Sequence, residues 1–251
     1  YPYLLPCLLS SLLSSLSLIL AIKKLPESLP IDARKSDGEN IFSGLSRMLT
    51  DISDVVKLPI ISTLIFTNFL FLMGFSMMHG TFILFTAMEP VDGGLGFDAM
   101  QNGWVFAFIG LMGVIIQGGL IGKLTKIFDM RKLMIIGTIT CGLGIASIPY
   151  VPSEMSWLIL LSSACISIGN GLFSPTQSSL LAFESSNGDY ELGMVMGAQE
   201  GYGALARILG PLLAAYLWSL TVEGSGIWTY HTSFRVAGII FIIAAFLQLR
   251  L

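Results

Sequence analysis

Two opposite charges, Glu200 and Arg207, lie in the mostly apolar stretch 193–220 and are the most chemically informative residues of the chain. They are separated by two turns of an α-helix, so both side chains lie on one helix face. Inside a membrane an ionisable group is costly unless it faces water or protein, which makes each a functional candidate. We interpret Glu200 as a group that exchanges protons and Arg207 as a positive charge that biases its ionisation. The alternative is structural, with each residue paired to a polar group on a neighbouring helix.

A second candidate for proton exchange is His79, in the apolar stretch 58–86. Histidine titrates near neutral pH and can relay protons, although a lone histidine also occurs as a hydrogen-bonded packing residue. The side chains around it are bulky and adaptable, as the wall of a cavity for an apolar substrate would be. The wall residues predicted from this pattern are Phe71, Phe75 and Met78.

Neutral amides form a third group of polar residues within the apolar stretches. They are Asn68, Gln117, Asn170, Gln177 and Gln199. Such amides commonly hydrogen-bond between helices in a membrane, and that use is the default interpretation. We expect about two of the five to contact a substrate.

The sequence contains no pattern that indicates an enzyme, a cofactor or a metal site. Serine-hydrolase, nucleotide-binding and zinc-protease motifs are all missing from it. Three cysteines, Cys7, Cys141 and Cys165, lie inside apolar runs and are predicted to be packing residues. A net charge of −3 without a basic stripe excludes a nucleic-acid-binding protein.

Composition identifies the elements that must position these residues. The chain has 251 residues, of which 54% are hydrophobic and 12% charged, and its mean hydropathy is +0.79. Soluble domains carry about 25% charged residues, so this chain is predicted to be an integral membrane protein.

The apolar residues form continuous runs rather than an alternating pattern, which favours spanning helices over a β-barrel. A spanning helix needs about 20 mostly apolar residues. Seven runs meet or approach this length, and we predict an all-α membrane protein with seven transmembrane helices. The predicted spans are 3–22, 58–86, 102–122, 133–151, 156–182, 193–220 and 235–250.

Lysine and arginine indicate the orientation. They are concentrated in the connections 23–57 and 123–132, whereas the alternating connections 87–101, 152–155 and 221–234 contain none. The positive-inside rule therefore places the N-terminus outside and the C-terminus inside. A chain that begins outside, without methionine or a signal sequence, is expected to follow an odd number of earlier helices.

The connection 23–57 has two parts. Residues 25–40 are rich in proline, serine, glycine and charge, as linkers are. Residues 41–56 have apolar side chains at helical spacing and predict an amphipathic helix. This helix would lie along the inner membrane surface or pack against the ends of the spanning helices.

Small residues recur every four positions on three of the predicted helices. The sets are Gly193, Gly197 and Gly201; Gly118 and Gly122; and Gly137 and Cys141. Because helices in lipid associate through close backbone approach, these stripes predict helix–helix contacts.

Residues 122–132, GKLTKIFDMRK, lie in a short connection between two predicted spans. They resemble the Gly-x-Leu-x-Asp-Arg-x-Gly-Arg-Arg loop of the major facilitator superfamily. The matching positions are Gly122, Leu124, Arg131 and Lys132, which the resemblance assigns to a cytoplasmic gating loop. The departures are Lys126 in place of the acid, Ile127 in place of an arginine and Asp129 in place of the second glycine.

Two more segments resemble the drug–proton antiporters of this superfamily, especially the tetracycline-exporter-like branch. Residues 169–182 are similar to the tenth helix of that branch and residues 196–211 to the eleventh, while the opening YPYLLPCLLS is similar to the sixth. The resemblance implies that 1–22 is the last helix of an N-terminal half. It also implies that 23–57 is the central cytoplasmic loop and 58–251 the C-terminal six-helix bundle.

The resemblance further implies a secondary active transporter of the cell membrane, which exports small drug-like molecules by proton-coupled alternating access. Its partners would be membrane lipid, a small-molecule substrate, protons and the missing N-terminal half. A metal–chelate or organic-acid facilitator of the same superfamily is the first alternative. A seven-helix receptor, which has the same orientation, is the alternative from a different class.

Overall fold

A computed structural model describes residues 4–25, 58–188, 190–222 and 228–251. It contains seven helices that are long and apolar enough to cross a membrane, which confirms the predicted fold class. The helices are α1 (Leu4–Lys24), α2 (Pro59–Ala87), α3 (Ala99–Ile127), α4 (Met130–Ser147), α5 (Ile159–Asn187), α6 (Leu192–Val222) and α7 (His231–Gln248). The predicted amphipathic helix 41–56 lies outside the described residues.

The chain divides into two compact units, one containing α1 and the other containing α2–α7. We call the second the six-helix unit. Within it α2 packs against α6 and α7, while α4 packs against α5 and α7, and α3 packs against α5. Short connections join these helices, so successive helices cross in alternating directions.

Polar capping residues extend two helices beyond the apolar runs that predicted them, and a third helix is longer at its C-terminal end. Asp98 accepts a hydrogen bond from the backbone N–H of Gln101 at 2.7 Å, and the Gln101 side chain accepts one in return at 2.9 Å. This capping box starts α3 three residues before the predicted boundary. Asp129 caps α4 in a similar way. Helix α5 continues to Asn187, five residues past the predicted end of its span.

Aromatic side chains fill the centre of the six-helix unit. Phe71 of α2 stacks on Phe173 of α5 with ring centroids 3.8 Å apart, and meets Phe241 of α7 edge-on at 5.0 Å. All three rings are fully buried. These contacts join α2, α5 and α7 through apolar packing.

The glycine stripes differ in what they contact. Gly137 of α4 lies against α5, where an added Cβ would be 2.8 Å from the carbonyl oxygen of Gly169, and this confirms the predicted contact. Gly118 and Gly122 of α3 have no neighbouring side chain or helix within 4 Å of such a Cβ among the described residues. The same holds for the stripe on α6 that contains Gly197. The prediction of helix contacts is therefore wrong for these two stripes within the six-helix unit, because both face outward from it.

A candidate site on the open face of the six-helix unit

Glu200 and Arg207 form an ion pair on α6. Arg207 donates from Nη2 to Oε2 of Glu200 across 3.2 Å. The Arg207 side chain is 51% exposed and that of Glu200 is 65% exposed. As predicted, the two side chains share one helix face. Among the described residues, each finds its charged partner on its own helix and not on a neighbouring one.

Small residues on α6 leave this ion pair uncovered. Gly197 and Gly201 flank Glu200 and have open space around them in the described structure. We call this surface of α6 the open face. A charged pair within a membrane-spanning helix must be covered by water or by protein, because lipid does not solvate it. No group of His, Cys, Asp and Glu that could hold a metal ion occurs in the described ranges.

Asn68 of α2 adjoins the ion pair. Gly203 brings the two helices together there, since a Cβ at Gly203 would lie 3.8 Å from Nδ2 of Asn68 and 3.7 Å from Nη2 of Arg207. Gln199 precedes Glu200 in the sequence and its side chain is buried. The Oε1 atom of Gln199 has no hydrogen-bond partner among the described residues. The Asn68 amide and the Arg207 guanidinium therefore both lie close to Gly203 at this point of the contact between α2 and α6.

His79 is exposed on α2, but the structure does not bring it to the ion pair. It lies about 16 Å farther along α2 than Asn68. At the level of His79, α2 meets α6 at Gly80, where an added Cβ would be 3.7 Å from Pro211. The His79 ring packs edge-on against Phe75 at 4.7 Å.

Two predicted wall residues do not lie on the open face. Phe71 and Met78 are buried in the core of the six-helix unit, with exposed fractions of 0% and 2%. They point inward because they lie on the side of α2 that meets its neighbours. Phe75 is only partly buried. Gln177 is also buried, and its Nε2 donates to the carbonyl oxygen of Leu64 at 2.7 Å, which is the default interhelical role.

Gln117 and Asn170 lie at the seam between α3 and α5. Gln117 is exposed and belongs to a π-helical turn, Ile116–Leu120, inside α3. A Cβ added at Gly171 of α5 would lie 3.8 Å from Cγ of Gln117. Gly171 follows Asn170, which is half-buried. Turns of this kind occur frequently at functional sites, and the sequence did not predict this one.

The predicted gating loop is organised by Arg131. Its Nη2 lies 3.5 Å from Oε1 of Glu184 in the last turn of α5, and its Nη1 donates to the backbone carbonyl of Leu251. Asp129 accepts from the backbone N–H of Arg131 at 3.2 Å. Glu184 was not predicted as the partner, although an acid two residues past the predicted span 156–182 was a usable signal.

The other predicted loop residues surround this contact. Gly122 and Lys132 are exposed, and Leu124 is half-buried. A cavity of about 280 Å³ lies between the loop and the end of α5, with Thr125, Arg131 and Glu184 among its lining residues.

Comparison with known proteins found similar sequences and a similar fold. A family model described as Major Facilitator Superfamily matches residues 2–211 and 70–251. A tetracycline resistance protein, class E, from Escherichia coli is 27% identical over 134 residues, which cover 53% of this chain and 32% of that protein. Dipeptide and tripeptide permease A from Yersinia pestis is 34% identical over 80 residues, which cover 32% of this chain and 15% of the permease.

The fold is also similar to the crystal structure of the peptide transporter POT in complex with sulfate. The TM-score is 0.59 at 20% identity, and the match covers 76% of this chain and 37% of the transporter. The chain therefore matches about a third or less of the length of these two relatives and slightly more of the solved structure.

Proposed function

Because the chain belongs to the major facilitator superfamily, we propose that it forms the C-terminal half, with one preceding helix, of a proton-coupled secondary transporter. The chain is a multi-pass membrane protein of a transporter family. On this proposal a second half covers the open face, and the two halves alternate access to a cavity between them. The match to a transporter superfamily argues against the alternative of a seven-helix receptor.

The exposed ion pair of Glu200 and Arg207 carries the proposal. Both side chains lie within a spanning helix, and the six-helix unit leaves them half or more exposed. Such a pair is stable at this depth only in a water-filled cavity or against another protein surface. The open glycines beside it provide room for either, so the pair lines the cavity between the two halves.

We infer that this pair exchanges protons during transport. The ionised Glu200 carboxylate attracts the Arg207 guanidinium across 3.2 Å. Uptake of a proton by the carboxylate removes that attraction and releases the guanidinium, which is then free to bind an acceptor on the substrate or on Asn68's helix. Release of the proton on the other side of the membrane restores the pair. Coupling thus requires Glu200 to titrate and Arg207 to remain charged.

Export of small drug-like molecules is the substrate class supported by the similarity to the tetracycline resistance protein. Similarity to a dipeptide and tripeptide permease supports peptides as the second candidate. Organic acids or metal chelates, as anions that Arg207 could bind, are the remaining alternative. Counterflow of labelled tetracycline, a labelled dipeptide and labelled citrate in proteoliposomes of the full-length transporter separates the three.

Glu200→Gln in the full-length transporter tests the proton-coupling role. The amide keeps the shape and hydrogen bonding of the side chain but does not titrate, so gradient-driven transport is expected to be lost. Substrate binding and substrate exchange, which need no net proton movement, are expected to remain. The matched control is Glu154→Gln, since Glu154 is an exposed acid in the connection before α5.

Normal gradient-driven transport by Glu200→Gln would overturn the role of this residue. In that case Glu200→Leu would be expected to lower stability only, because a structural ion pair would be lost. If Glu154→Gln also abolished transport, the loss in Glu200→Gln would not be specific to Glu200. That result would likewise overturn the proton-coupling role of Glu200.

A further inference from the structure

Two grooves, lined mainly by apolar side chains, flank α4. One groove, of about 360 Å³, runs between α4 and α7 and is lined by residues such as Ile139, Leu143 and Ile239. The other, of about 450 Å³, runs between α4 and α5 and includes Leu161. Leu143 and Tyr150 belong to both grooves, so α4 forms a ridge between them.

The two grooves meet at one polar end. There Arg235 of α7 donates from Nε to the Tyr150 hydroxyl oxygen at 2.8 Å. The ring of His231 packs against Tyr150 with centroids 4.9 Å apart and helps to hold it in place. The terminal nitrogens of the Arg235 guanidinium have no acceptor among the described residues. Among the described residues Arg235 therefore keeps most of its donors available at one end of the α4–α7 groove, beside the Tyr150 that both grooves share.

The length and position of the grooves match one leaflet of a bilayer. From Ile139 to Tyr150 the ridge is about 16 Å long, close to half of a hydrocarbon core of about 30 Å. Leu143, on the ridge, is 66% exposed, as is usual for a side chain that faces lipid. The predicted orientation puts the polar end at the outer membrane surface.

We propose that these two grooves bind one anionic diacyl phospholipid of the outer leaflet, with its phosphate on Arg235 and one acyl chain on each side of the α4 ridge. Guanidinium donors match phosphate oxygens in geometry and charge. A single-chain ligand would fill one groove, whereas a diacyl lipid fills both from a common headgroup. The partner of Arg235 is then the headgroup, and the cation is neutralised at the membrane surface. This inference does not depend on the transported substrate.

Native mass spectrometry of the full chain, purified in detergent, tests the charge requirement. The probes are phosphatidylglycerol and phosphatidylcholine with the same acyl chains. We expect about tenfold tighter retention of phosphatidylglycerol, because the choline cation of phosphatidylcholine offsets the attraction between Arg235 and the lipid phosphate. Arg235→Gln is expected to remove that preference. Arg250→Gln, which removes an exposed cation near the other end of α7, is expected to preserve it.

Tryptophan quenching by lipids with brominated acyl chains tests the place of binding. In a background in which Trp104, Trp157, Trp218 and Trp228 are replaced by phenylalanine, Ile239→Trp puts a reporter in the α4–α7 groove, and Leu212→Trp puts one at an exposed position of α6 as the control. Brominated phosphatidylglycerol should quench the tryptophan at position 239 several-fold more strongly than brominated phosphatidylcholine, and both lipids should quench the one at position 212 equally.

Three results would overturn the proposal. The first is equal retention of the two lipids by the unchanged chain, and the second is an equal loss of preference in Arg235→Gln and Arg250→Gln. The third is a lipid-free dimer in which the tryptophan at position 239 is protected from bromine, because a second copy would then occupy the grooves.

Discussion

At the scale of single residues, Arg131 joins three parts of the six-helix unit. It lies at the start of α4, pairs with Glu184 in the last turn of α5 and donates to the backbone carbonyl of Leu251 beyond α7. The side chains of the ion pair are 41% and 16% exposed, so water screens part of the attraction. The ion pair therefore fixes the relative positions of these parts and adds little to the free energy of unfolding, because such pairs contribute at most about 1 kcal/mol.

A double-mutant cycle measures this contribution. We expect Arg131→Gln and Glu184→Gln to show a coupling energy below about 1 kcal/mol, because the pair is partly exposed and its nitrogen–oxygen distance is long. The measurement is chemical unfolding of the single and double variants in detergent. The same cycle with Lys132→Gln in place of Arg131→Gln should give a coupling near zero. A coupling of several kcal/mol between Arg131 and Glu184 would show a buried network instead.

At the scale of helices, glycines separate internal seams from the open face. Gly137 of α4 and Gly169 of α5 bring two backbones together, so a side chain at either position would meet backbone atoms. Gly118 of α3 and Gly197 of α6 meet open space among the described residues. Similar glycine patterns in the sequence therefore correspond to two environments. One is a tight contact between two helices, and the other is a helix surface that the described residues leave uncovered.

Leucine substitutions distinguish the two environments. Gly137→Leu is expected to destabilise the chain by at least 1–3 kcal/mol, roughly the cost of overpacking, because the Gly169 backbone cannot move aside. Gly118→Leu is expected to change stability by less than about 0.5 kcal/mol, because nothing in the described unit blocks it. Thermal unfolding in detergent compares the two. Equal destabilisation by both variants would show that the face at Gly118 is packed.

At the scale of the whole molecule, the six-helix unit presents one wall with charged and small residues uncovered. On the proposed transport mechanism, the ion pair of α6 and the glycine stripes of α3 and α6 belong to that wall. A water-filled pathway needs a second wall, which the major facilitator architecture supplies from another six helices. The transport proposal therefore concerns a protein larger than residues 1–251.

Residues 1–251 alone are expected not to transport. With one wall of the cavity, the chain cannot close access on either side in turn. Uptake of labelled substrate by liposomes containing only this chain should equal that of empty liposomes, while the full-length transporter serves as the positive control. Measurable gradient-driven uptake by residues 1–251 would refute the two-wall interpretation.

Cysteine labelling tests the orientation. In a background without Cys7, Cys141 and Cys165, a membrane-impermeant reagent added outside should modify a cysteine at any position in 90–98. It should spare cysteines at 30–40, because the positive-inside rule places that connection in the cytoplasm. Permeabilised cells provide the control in which both sets react. The reverse pattern of protection would invalidate the orientation and, with it, the outer-leaflet assignment.

The number of spanning helices and the shared face of Glu200 and Arg207 were determined by the sequence alone. Both depend on local quantities, since the length of an apolar run is compared with the bilayer thickness and helical periodicity relates residues two turns apart. The tertiary structure decided which helix faces meet. It buried Phe71 and Met78, left Gly118 and Gly197 open, and paired Arg131 with Glu184. Those outcomes depend on how each helix is rotated against neighbours distant in sequence, and in a uniformly apolar helix the residue pattern does not specify that rotation.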